Sequence, residues 1–371
     1  MSRRLDVDRW LFGATVALCF IGTVMVFSAS AVTAREQFGH AYVFLLRQIL
    51  WLVLGLAGMV LLMNVDYHRL REPVVVFTAL FIVLVLLVAV LFVDKTHATH
   101  RWIPLGPMHL QPSEIAKLAV ILYLAWFLEL KRRKMAAMEF NTNDLKQTVL
   151  PAVAPVVVIM GLVVMQPDLG TPVDILLIAT AILFVAGISW KWIAAGAAAA
   201  LPAIYLLIAL VSYRHDRLMS FLSPESDPQG HGFQLLQSLI AVGSGGFSGV
   251  GFMESKQKLF YLPEVYTDFI YAVLCEEMGF IGGAVVLGLF VIYGWRGIRA
   301  AMAAPDGFGR LLALGVTARV LSQALINFAV VLGMMPTKGI PLPFISYGGS
   351  SLLAMLLATG VLMNISQQAT D

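Results

Sequence analysis

The chain has 371 residues, 59% of them hydrophobic and 13% charged, with a formal net charge of +3. Soluble domains run at roughly 45 to 50% apolar and about 25% charged, so composition alone argues against a soluble enzyme. No stretch outside the loops that flank apolar runs combines basic and stacking residues, which argues against a nucleic-acid partner. The two cysteines, Cys19 and Cys275, lie in apolar runs and form neither a disulfide framework nor a metal-ligand spacing.

The apolar runs approach the length that carries a helix across the hydrocarbon core of a bilayer. They predict ten spans, near 11–30, 47–65, 73–93, 114–130, 149–165, 171–189, 192–212, 269–294, 311–333 and 344–366. The expected fold is an all-α polytopic membrane protein, one domain over 1–371. Arg3 and Arg4 before the first run mimic a secretory signal, but the run is long for one and nine more follow, so it reads as a retained helix. Ten spans put both termini on one side. With that side as cytoplasm, 14 of the 25 Lys and Arg residues fall in cytoplasmic segments, as the positive-inside bias requires. The block Lys131-Arg132-Arg133-Lys134 is the strongest such anchor, and topology explains it without a further role.

Between spans seven and eight, residues 213–267 form a long extracytoplasmic segment. Phe233, Leu236 and Ile240, beside Leu235, Leu239 and Val242, predict a short helix lying at the interface. The glycine-rich stretch 243–251 fits neither a Walker loop nor a dinucleotide fingerprint, and no strand precedes it, so it reads as a flexible turn.

Ionisable residues inside spans are costly and therefore informative. Glu114 and Lys117, one turn apart, can pair on one helix face, with Ser113 as a cap. Lys117 is alternatively a cation facing a cavity that holds an anionic substrate. Asp168 sits in a Pro/Gly turn and reads as a cap. Asp174 falls inside span six, with Lys117 or Arg319 as its partner. Glu276 and Glu277 point about 100° apart on a helix, so at least one is structural. Asp268 ends the long segment at the mouth of span eight. A half-desolvated carboxylate there can have a raised pKa and act as a general base, while capping of span eight by Thr267 or Asp268 is the alternative. Residues 336–351, dense in Pro, Gly and Ser, suit a rigid broken segment against protein or a wet cavity, with Lys338 as a phosphate ligand.

Phe27-Ser28-Ala29-Ser30, Arg101-Trp102-Ile103 with Gln111-Pro112-Ser113-Glu114 and Lys117, Gln166 to Thr171, Gln257 to Phe269, and Pro336 to Ser351 occur in this order along the chain. Together they resemble the SEDS family (shape, elongation, division and sporulation), and are closer to its division branch, FtsW, than to its elongation branch, RodA. The resemblance implies a ten-span peptidoglycan glycosyltransferase that polymerises lipid II at the outer face of the bacterial inner membrane. It also implies a class B penicillin-binding transpeptidase and other divisome or elongasome membrane proteins as partners.

By the same resemblance the catalytic aspartate falls on Asp268, and the substrate-binding set comprises Arg101, Glu114, Lys117, Lys338 and Ser346. Arg214 or Arg217 and a divalent cation, Mg or Mn with unidentified ligands, would help neutralise the diphosphate. Three positions depart from the family pattern. Tyr266 stands where His is common, His100 where a second Arg is common, and Asp174 where an apolar residue is expected. The competing reading is a flippase for the lipid-linked precursor, which would also show many spans and buried charges. It needs a site near the midplane, whereas most of these candidates lie at the outer ends of spans.

Overall fold

The computed structural model describes residues 7–94, 100–105, 108–136, 144–223 and 232–369. Among these, eight helical segments are long and apolar enough to cross a membrane. They are α1 (Arg9–Phe38), α2 (Val43–Asn64), α3 (Pro73–Val93), a π turn (Leu145–Val149) continuing into α5 (Leu150–Val164), α7 (Trp190–Ala209), α10 (Ile270–Met302), α11 (Gly307–Val331) and α12 (Gly349–Gln367). The other two expected spans are also helices: α4 (Pro112–Ala136), which carries Glu114, Lys117 and Glu129, and α6 (Gly170–Val185), only 16 residues long. Each of the ten expected spans therefore corresponds to one helix, and the chain is a multi-pass membrane protein.

One element departs from the all-helical expectation. Strands β1 (Ile103–Leu105) and β2 (Met108–Leu110) pair antiparallel, with Ile103 opposite Leu110, between α3 and α4. Three residues per strand are too few for a period-2 pattern to stand out in the sequence.

Polar contacts tie the ends of the bundle together. The Asp8 carboxylate caps α1 through the N–H groups of Trp10 and Leu11, and it pairs with Arg296 Nη2 at 2.7 Å. Ser366, near the end of α12, also donates to Asp8. The start of α1 and the ends of α10 and α12 therefore share one face. On that face Asp306 caps α11 and accepts from Tyr67 Oη at 2.8 Å, and Arg133 Nη2 lies 3.7 Å from it. Arg132 and Arg133 both reach Glu129. The basic block at the end of α4 thus docks α4 onto the start of α11, a role that topology alone does not cover.

The segment between α7 and α10 contains α8 (Ser212–Leu222) and α9 (Phe233–Ser244). In α9 the expected helix forms on a different face. Leu235, Ser238 and Ala241 are buried while Leu239 and Ile240 are exposed, and Ser238 Oγ donates to the Val331 carbonyl at 2.9 Å.

The glycine-rich stretch is not a loose turn. At Gly279, with φ +66°, α10 breaks about two and a half turns below its start, and residues 245–251 fill the break. The carbonyls of Glu276 and Glu277 accept from the N–H groups of Val250 and Gly251 at 3.0 and 3.1 Å. In return, Phe280 N–H donates to Gly246 at 2.9 Å and Ile281 N–H to Phe247 at 3.3 Å. A broken helix is tolerated at membrane depth when other backbone satisfies the freed groups, and this loop does so. The approach is too close for side chains, since a Cβ on Gly249 would lie 2.1 Å from the Glu277 oxygen.

The two adjacent glutamates fix the same loop from opposite sides. Glu276 accepts from Ser255 Oγ and from Lys256 N–H at 3.0 Å, and Glu277 holds Lys258 Nζ at 3.0 Å and Ser28 Oγ at 2.6 Å. Both are structural, and both act on the segment that leads to Asp268.

Candidate active site

Asp268 sits between the loop anchored by those glutamates and the start of α10. Phe269 occupies the helix-cap position with no side-chain cap, so the Asp268 carboxylate is not used to start the helix. Its main-chain carbonyl accepts from Asn327 Nδ2 at 2.8 Å. Thr267 turns back onto Glu264, leaving the carboxylate next to Gly339, where a Cβ would lie 3.2 Å from Asp268 Oδ2. Burial pushes the carboxyl up to about 7. Glu264 and, more weakly, Asp168 add to this rise, while Arg217 and Arg101 oppose it. A carboxyl poised near neutral pH, within the electrostatic reach of Arg217 and Arg101 and partly open to solvent, has the properties a general base needs.

The broken segment between α11 and α12 forms the floor of the site. Ser346 Oγ donates to the Thr267 carbonyl and accepts from Leu342 N–H at 2.8 Å, while Tyr347 N–H donates to the Tyr266 carbonyl at 2.9 Å. Ser346 is buried with its hydroxyl engaged in both directions, so the structure makes it a brace for the Asp268 segment in place of the substrate contact expected of it. Tyr266 stacks on Phe44 at 4.8 Å and meets Tyr347 edge-on at 5.8 Å. Tyr266, Phe44 and Tyr347 thus form an aromatic clasp.

Arg101, Arg217 and Lys338 act electrostatically on Asp268 or Asp168. Arg101 donates from Nε to the Gln166 carbonyl at 3.2 Å and from Nη2 to the Pro167 carbonyl, with Nη1 3.8 Å from Asp168 Oδ2. Asp168 itself caps α6 as expected, accepting from Gly170 and Thr171 N–H at 2.9 and 3.1 Å. Arg217 reaches the Thr337 carbonyl at 3.4 Å. Lys338 is half-buried, its pKa lowered by burial with Asp168 opposing; its carbonyl accepts from Ile340 N–H at 2.9 Å, while its ammonium forms no hydrogen bond or ion pair among the described residues. Arg214 turns back to the Leu207 carbonyl at 3.0 Å. Arg101, Arg217 and Lys338 are therefore the cations of the site.

Glu114 and Lys117 lie below that floor, buried in the bundle. Lys117 Nζ meets Glu114 Oε1 at 2.8 Å, Gln323 Oε1 at 3.0 Å and Asp174 Oδ2 at 3.3 Å. Arg319 Nη2 meets Glu114 Oε2 at 2.9 Å. Asp174 is thus partnered by Lys117, with Ser322 on its other oxygen. An ammonium has three donors, and all three of Lys117's are used inside the protein. Glu114 and Lys117, expected to contact substrate, are engaged in an internal network in this structure. A cavity of about 10 Å³, lined by Gln111, Glu114, Lys117, Asp174, Gly339 and Pro341 among others, separates this network from the segment beside Asp268.

Two functional residues escaped the sequence reading. Asn327 spans the carbonyls of Asp268 and Ile340, each at 2.8 Å, and Gln323 Nε2 donates to the Pro341 carbonyl at 2.9 Å. The available signal was two amide side chains four apart inside an apolar span, on one helix face. Among the described residues, no group of three or more His, Cys, Asp or Glu side chains is placed to hold a metal ion.

Known proteins resemble this chain over nearly its whole length. The family model FTSW_RODA_SPOVE, a cell cycle protein, matches residues 9–371. The chain belongs to the FtsW, RodA and SpoVE family. A probable peptidoglycan glycosyltransferase FtsW from Trichlorobacter lovleyi is 42% identical over 367 residues, covering 98% of this chain and 94% of the relative. Stage V sporulation protein E from Bacillus subtilis is 41% identical, covering 99% and 98%. Among solved structures, a chain from work on the structural coordination of polymerization and crosslinking by a peptidoglycan synthase complex matches with a TM-score of 0.76 at 31% identity, covering 98% of each chain. The rod shape determining protein RodA of Thermus thermophilus matches with a TM-score of 0.71 at 28% identity, covering 99% of each.

Proposed function

We propose that this chain is a peptidoglycan glycosyltransferase that polymerises lipid II, with Asp268 as general base. The observation that carries the reading is a carboxyl raised to about 7 and flanked by Arg217 and Arg101, in a chain whose full-length relatives include FtsW glycosyltransferases. Asp268 takes the proton from the acceptor sugar hydroxyl as that oxygen bonds to the donor's anomeric carbon. The bond from this carbon to the diphosphate oxygen breaks on the opposite face, and the electron pair leaves with the undecaprenyl diphosphate. The configuration inverts, giving a β-linked glycan from an α-linked donor. Arg101, Arg217 and Lys338 stabilise the departing charge, the term that usually contributes most to catalysis. A divalent cation, Mg or Mn, would arrive on the diphosphate of the substrate, and no step above depends on it.

The proposed orientation puts both termini in the cytoplasm and Asp268 at the outer face of the inner membrane. The proposed partner is a class B penicillin-binding transpeptidase within the division or elongation machinery, supported by the likeness to a chain of a peptidoglycan synthase complex. The flippase reading is the weaker one, because Lys117, Asp174 and Arg319, the charges deepest in the bundle, are bound to the protein's own side chains.

The test is incubation of purified protein in nanodiscs with fluorescent lipid II, with and without the transpeptidase. A ladder of glycan polymers is expected. No polymer under either condition, together with lipid II translocation when the protein is placed in vesicles, would overturn the enzyme reading in favour of the flippase.

A further inference from the structure

Among the buried charges that take no part in the proposed chemistry, Asp174 and Arg319 stand at the two ends of one network. Asp174 on α6 is 1% exposed and Arg319 on α11 is 0% exposed. Unpaired charges are costly at this depth, and each of these is held by a shared middle. The order is Asp174, Lys117, Glu114, Arg319, with successive contacts of 3.3, 2.8 and 2.9 Å. Two carboxylates and two cations close to zero net charge across α4, α6 and α11. Arg319 Nε and Nη1 have no hydrogen-bond partner, so Glu114 is its one anion among the described residues.

The network has an outlet toward the site. Lys117 carries only donors, so it fixes which end of the Gln323 carboxamide faces it: the oxygen, at 3.0 Å. The amide nitrogen is thereby turned onto the Pro341 carbonyl at 2.9 Å. Pro341 follows Gly339, which lies against the Asp268 carboxylate, and Ile340, whose carbonyl shares Asn327 with the carbonyl of Asp268.

We infer that Asp174 and Arg319 are a charge-compensating couple of positioning residues that locks Lys117 and, through Gln323, sets the Gly339–Pro341 segment beside Asp268. Asp174 supplies the third acceptor that removes Lys117 from substrate binding, and Arg319 restores the balance that Asp174 would otherwise upset. The inference rests on the glycosyltransferase reading for its kinetic arm only.

The experiment is a double-mutant cycle with Asp174→Asn, Arg319→Gln and the two combined, in the full-length protein in nanodiscs, read both by lipid II polymerisation and by thermal midpoint. Each single variant leaves the network one charge out of balance, and the double variant returns it to neutrality. Each single variant is expected to lower kcat by about tenfold or more with KM for lipid II within about twofold, and the double to recover to within about threefold of the parent. The thermal midpoints should follow the same non-additive pattern. A double variant as impaired as the product of the two singles would overturn the couple. A lower KM in Asp174→Asn would overturn the lock, because it would mean that a freed Lys117 donor takes up substrate. If the parent protein does not polymerise lipid II, the enzyme reading fails, while the midpoint cycle still decides whether the couple exists.

Discussion

Asn327 holds Asp268 by its main chain, not by its carboxylate: one amide hydrogen reaches the Asp268 carbonyl at 2.8 Å. The other reaches the Ile340 carbonyl, also at 2.8 Å, so one side chain on α11 ties the base to the segment beside it. The carboxylate stays free for a proton while its position is set from behind.

Asn327→Ala is therefore expected to act on geometry. Leaving a buried carbonyl unsatisfied costs about 1 to 3 kcal/mol, and this change orphans two. The expected outcome is a lower thermal midpoint and a kcat for lipid II polymerisation reduced by about tenfold or more, the scale on which misplaced catalytic groups lose rate. Kinetics on protein that still inserts in the membrane check this, and an unchanged kcat would remove Asn327 from the site.

The break in α10 predicts a sharp contrast between two glycines. A Cβ on Gly279 would lie 2.3 Å from the Gly249 nitrogen, and its backbone has φ +66°. Gly243, in α9, has open space around it. Gly279→Ala should lower the thermal midpoint strongly and reduce the amount of folded protein. Gly243→Ala should be neutral or slightly stabilising, by up to about 1 kcal/mol from helix propensity. Thermal melts of both variants in detergent provide the comparison.

The raised pKa of Asp268 carries a stability consequence with a definite sign. Its ordinary value is 3.8 and its folded value about 7, so between these pH values the folded state holds a proton that the unfolded state has released. Stability contributed by this group is present below pH 3.8 and is lost as pH rises toward 7. Asp268→Asn removes that loss. The variant should melt higher than the parent at pH 8, with the difference shrinking at pH 5, in paired thermal scans. A difference that grows at pH 5 would mean the carboxyl is not raised.

Much of this was legible in the sequence because hydrophobic length is a strong signal. All ten spans were placed, and α6 was found even though it is only 16 residues long. The turn at Asp168 and the position of Asp268 were likewise readable from local chemistry and motif. What escaped depends on contacts between distant segments. Residues 245–251 look flexible by composition, yet their glycines exist to let one backbone enter the break in another, 30 residues away in sequence. For Lys117 the sequence left three roles open: a pair with Glu114 one turn away, a pair with Asp174, and a contact to substrate. Asp174 and Gln323, which take its remaining donors, come from α6 and α11. The bracing role of Ser346 was hidden for the same reason, since its acceptor is the Thr267 carbonyl.

Topology can be checked with exposed positions on the two faces. Glu254 lies on the loop leading to Asp268, and Lys146 lies at the start of the π turn before α5; both are exposed. In a background with Cys19 and Cys275 replaced by Ser, Glu254→Cys should react with an impermeant maleimide added to intact spheroplasts and Lys146→Cys should not. The reverse pattern would put Asp268 in the cytoplasm and end the proposal of an extracytoplasmic polymerase.

The central claim is that the Asp268 carboxylate is the base for glycan polymerisation. Asp268→Asn keeps the shape of the side chain and the main-chain contact to Asn327 but cannot take the proton. With purified protein, lipid II and the transpeptidase partner, the variant should insert and fold like the parent while polymerisation falls by about 100 to 10,000-fold, the range for loss of a general base. Polymerisation at a rate near that of the parent would contradict the account.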